Sequence, residues 1–65
     1  MLKENEIIEL LKKALGKYIL HLNNSSLYYI EYEAEIKSYL NVLNREDLQV
    51  KYLDINKARE LLNRI

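Results

Sequence analysis

The chain has no cysteine, no proline, no tryptophan, no phenylalanine and no threonine, and Gly16 is its only glycine. Without cysteine, neither disulfides nor thiolate metal sites can form. His21 is the single histidine, so no histidine cluster is available for a metal. One glycine cannot build a Gly-rich phosphate loop, and the sequence implies no cofactor. The missing proline leaves few hard breaks in the chain. Valine occurs only twice, and strands draw on β-branched residues, so an all-β fold is disfavoured. Net charge is zero, which removes any global attraction to nucleic acid or an anionic membrane. Apolar runs extend only a few residues, far short of a membrane span. The opening Met-Leu-Lys-Glu-Asn-Glu is too polar and acidic for a secretion signal. A cytoplasmic protein is the expectation.

What is abundant is leucine, thirteen residues of 65. The charge order is also informative. Acid precedes base by four residues at Glu9–Lys13, Glu33–Lys37, Asp47–Lys51 and Glu60–Arg64. On a helix such residues share a face, and acid-first order suits the helix dipole. A strand gains nothing from that spacing. The fold expected is therefore all-α, one domain over residues 1–65, with helices at about 4–22, 26–44 and 46–64.

The first segment carries Ile7, Leu11, Ala14, Tyr18 and Leu22 on one stripe, flanked by Ile8, Leu15 and Ile19, and the stripe keeps its phase across Gly16. Asn5 is a candidate cap for its start. Asn23-Asn24-Ser25-Ser26 reads as a loop, with Ser25 or Ser26 capping the next helix. In the middle segment Tyr29, Tyr32, Ile36, Tyr39 and Leu43 recur at three and four residues, a heptad-like seam. The same stretch also alternates as a strand: Ile30, Tyr32, Ala34 and Ile36 against Glu31, Glu33, Glu35 and Lys37. An α+β arrangement, with strands near 17–22, 27–36 and 48–53, is thus the second reading. Asn44 followed by Asp47 resembles the start of a third helix, whose stripe is Leu48, Tyr52, Ile55, Leu62 and Ile65 beside Ala58 and Leu61. A break at Asp54, capping a shorter helix from Ile55, is the alternative there.

A chain of this length buries roughly 60% of its unfolded surface, so small domains gain from a partner when disulfides and metals are absent. Tyrosine is the only aromatic, present six times. A ring with a hydroxyl suits a position that is buried yet reaches water, or a subunit interface. The expectation is a homodimer joined through Tyr29, Tyr32, Ile36, Tyr39 and Leu43. The function expected is non-enzymatic: a protein–protein interaction module, a regulator or inhibitor acting through this Tyr/Leu-rich face. Base stacking would also use tyrosine, but Glu31, Glu33 and Glu35 stand among the rings and repel phosphate. Alternate residues on a helix point in different directions, so those carboxylates do not converge on one ion.

The second functional reading is a DNA-binding regulator. Its last helix would present Asn56, Lys57, Glu60, Asn63 and Arg64 to a groove. The apolar residues after Ile55 fall at +3, +6, +7 and +10, which continues one helix better than it turns a corner.

Overall fold

The computed structural model describes residues 3–65; Met1 and Leu2, where the stretch read above as unsuited to secretion begins, lie outside the described residues. Three α-helices follow one another: α1 Glu4–Asn23, α2 Tyr29–Leu43 and α3 Ile55–Arg64, with one 3-10 turn at Glu46–Leu48. No strand occurs among the described residues, so the α+β reading gives way to the all-α one. Both α2 and α3 pack against α1.

α1 runs unbroken through Gly16. Its start is not capped by Asn5, which lies inside the helix; Lys3 occupies the cap position without a side-chain bond. Glu4 and Glu6 in the first turn favour that end through the dipole instead. The helix ends on Ser25, in the left-handed region at φ 56. Ser25 N–H donates to the Leu22 carbonyl and Ser26 N–H to that of His21, at 3.2 and 2.8 Å. That pair of bonds is the Schellman closure, made here without glycine. Ser26 Oγ then accepts from Tyr28 N–H at 3.3 Å and holds the turn that leads into α2, but neither serine caps that helix: Tyr28 occupies the cap position without a side-chain bond.

Asn44 closes α2 rather than opening the next helix. It sits at φ 51, with its N–H on the Leu40 carbonyl; asparagine tolerates the left-handed region that such a closure needs. The expected helix over 46–64 is accordingly two pieces. Arg45 and Gln49 are extended on either side of the 3-10 turn. Arg45 holds Asp47 through two hydrogen bonds, at 3.2 and 2.7 Å, which takes Asp47 away from Lys51. The Gln49 side-chain amide donates to the Leu40 carbonyl at 3.2 Å. Asp54 then caps α3, its carboxylate accepting from Lys57 N–H at 2.8 Å.

The core comprises Leu11, Ala14, Leu15 and Tyr18 from α1, Ile36 and Leu40 from α2, Leu48 from the connection, and Ala58 and Leu61 from α3. The connection therefore adds a core residue although it is not α-helical. Tyr52, expected on the apolar stripe, is 75% exposed, because its segment does not continue the helix.

Candidate interaction surface

The five residues of the heptad-like seam come together on one face of α2, and that face looks inward. Ile36 has no exposed surface, while Tyr29, Tyr32, Tyr39 and Leu43 are half-buried against the same core. The Tyr29 ring meets Tyr18 of α1 edge-on, 6.1 Å between centroids. The seam thus packs within the chain, and Ile36 has nothing to offer a second copy. Periodicity identified the apolar face of α2 but does not specify whether its own α1 or another chain covers it.

Among the described residues, the large apolar side chains that remain exposed are Leu20, Leu27, Tyr28, Ile30, Val42 and Tyr52. Three cluster where α1 turns into α2: Leu27 at 76%, Tyr28 at 64% and Ile30 at 56% exposure. With Glu31 they line one shallow open groove. In the sequence Tyr28 adjoins the seam without belonging to it, and Ile30 stands only in the strand-like alternation. For Ile30 the signal is helical phase, since it lies about 140° around α2 from the centre of the seam that faces α1. Tyr28 sits at the cap position before α2, about 60° from that centre, and phase alone does not find it.

The His21 side chain supports this cluster from α1. Its ring lies parallel to Tyr32, 5.3 Å between centroids, and edge-on to Tyr28 at 5.8 Å. Such aromatic contacts hold Tyr28 in place while its outer surface stays open. Tyr39 stands apart from this cluster, further along α2, where its hydroxyl donates to Glu35 at 3.2 Å; burial and this bond to a carboxylate raise its pKa.

A second groove runs along α1, lined by Asn5, Glu6, Glu9, Leu10 and Lys13. It offers mainly polar and charged side chains of one helix. The residues of the DNA-binding reading, Asn56, Lys57, Asn63 and Arg64, are all exposed on α3. Glu60 stands among them and pairs with both cations, Lys57 at 3.3 Å and Arg64 at 3.9 Å. No group of acidic or histidine side chains with metal-holding geometry occurs among the described residues. No protein-family model matches the chain, and no curated protein or solved structure matches it significantly.

Proposed function

We propose that this protein is a small non-enzymatic interaction module, a regulator or inhibitor of another protein, working through the surface of Leu27, Tyr28 and Ile30. The observation that carries this reading is that three large apolar side chains, each more than half exposed, lie side by side on one groove. Covering a contiguous apolar patch with a partner lowers the free energy by removing that surface from water. Tyrosine and leucine there supply contact area, and the flanking Glu31 supplies a charged rim that fixes orientation. The reading assumes a cytoplasmic setting; no described helix is long and apolar enough to cross a membrane.

Affinity capture from host extract, with captured molecules identified, tests the proposal. Leu27→Ala and Tyr28→Ala should each reduce capture by tenfold or more, since central anchors cost about 2 kcal/mol or more when truncated. Both positions are exposed, so the variants should fold as the wild type does. Lys57→Ala and Arg64→Ala should change capture little.

The DNA-binding reading draws its support from the exposed polar face of α3 and its capping by Asp54. Under that reading the captured molecule is duplex DNA, its affinity falls steeply with salt through counterion release, and the Lys57 and Arg64 variants lose it while Tyr28→Ala does not. That pattern would overturn the proposal.

A further inference from the structure

Acid–base order at four-residue spacing is the rule in this chain, and only two pairs of Asp, Glu, Lys or Arg break it with like charges: Lys13–Lys17 on α1 and Glu31–Glu35 on α2. Like charges at that spacing weaken a helix. All four side chains are exposed, and among the described residues none forms an ion pair. Each pair also adjoins exposed apolar surface. Leu20, seven residues after Lys13, shares its face of α1 and is 54% exposed. Glu31 shares a groove with Leu27 and Ile30, and exposed Ala34 follows on the next turn.

Gly16 lies between the two lysines and is equally unexplained within the chain. It sits inside α1 without a positive φ, and a Cβ added there would meet nothing. Glycine in a helix interior costs stability relative to alanine. Its bare backbone does, however, allow a second helix to approach closely.

We propose that the α1 face of Lys13, Gly16, Lys17 and Leu20 in one copy packs against the α2 face of Ile30, Glu31, Ala34 and Glu35 in another. This rests on reading the Leu27–Ile30 surface as an interaction site, and it names a second copy of the chain as the occupant. The two charge pairs have opposite sign and the same spacing, about 6 Å along either helix, so one pair can meet the other in register. Leu20 then covers apolar surface beside Ile30, and Gly16 brings the helices close. Since each copy carries both faces, no other molecule is needed to satisfy them.

Sedimentation velocity over a range of concentrations tests this on the full chain. The wild type should associate as concentration rises. Lys13→Glu with Lys17→Glu, and separately Glu31→Lys with Glu35→Lys, should each weaken association at least about tenfold, because like charges then face each other. An equimolar mixture of the two double variants should recover it, since every contact between unlike copies pairs opposite charges again. Gly16→Ala should raise the melting temperature of the dilute chain by roughly 2–6 °C while weakening association. Circular dichroism would establish that each variant is folded. A wild type that stays monomeric throughout, variants that associate like the wild type, or a mixture no better than its components would each overturn the proposal. A monomeric wild type leaves the capture of a different protein through Leu27 and Tyr28 standing; unaffected capture by those variants defeats that reading whatever the oligomeric state.

Discussion

Tyr18 ties the three helical pieces at a single residue. Its ring is 2% exposed and meets Tyr29 of α2, while its hydroxyl donates to the Leu53 carbonyl at 3.4 Å, just before α3. Burial raises the pKa of this phenol, and the charges of Glu33 and Asp54 add to the effect. The folded chain therefore keeps the Tyr18 proton at a pH where the unfolded chain has begun to release it. By linkage, this contribution is fully present below the ordinary tyrosine pKa near 10 and is lost as pH rises through the elevated folded value. Thermal melts at pH 9 and pH 11 should show a larger fall in Tm for the wild type than for Tyr18→Phe. Equal falls would mean that Tyr18 is not the group that couples alkali to unfolding. Some fall should persist in the variant, because the pKa of Tyr39 is also raised. Composition revealed that tyrosine replaces phenylalanine throughout, but not which hydroxyl finds a carbonyl thirty-five residues away, a contact that only the tertiary fold creates.

At the scale of elements, the legible part is the part fixed by local periodicity. α1 and the course of α2 follow from stripes that repeat at 3.6 residues. Glu33–Lys37 and Glu60–Arg64 meet as their spacing predicts, at 3.1 and 3.9 Å. Glu9 instead pairs with Lys12, one residue nearer than Lys13, at 3.5 Å. Asp47–Lys51 is where spacing misled: the same four-residue interval occurs by coincidence in a segment that is not helical. Asn44 in the left-handed region, the Arg45–Asp47 bond and the Gln49 bond to Leu40 each win over continued helix there, and two of the three join groups that helical periodicity does not bring together. The break makes α3 a helix of ten residues, shorter than an isolated helix sustains in water. Its stability should therefore depend on docking and on the Asp54 cap. Asp54→Ala should cost about 1 kcal/mol of global stability by denaturant titration, whereas Asp54→Ser should retain most of it, because serine also accepts from the first turn. If the alanine variant matched the wild type, the cap would be contributing nothing to docked α3.

For the whole molecule, one small core must hold all three helices, and α1 is the element common to both packings. A domain of this size has a total stability of about 3–10 kcal/mol by the usual per-residue range. Truncating a fully buried large aliphatic removes about 2–5 kcal/mol, a large share of that total. Ile36 is such a residue, and its burial is complete within a single chain. Its place at the centre of the seam suggested an interface, since a stripe on α2 carries no information about which helix covers it. The two placements differ in their dependence on concentration. With Ile36 in the core, Ile36→Ala should lower Tm by a similar amount at low and high protein concentration, whether or not the chain associates. A loss confined to concentrations at which copies assemble would place Ile36 between chains. The charge-reversed α1 and α2 variants should show the opposite pattern: near wild-type Tm when dilute, and reduced Tm only where the wild type gains stability by association.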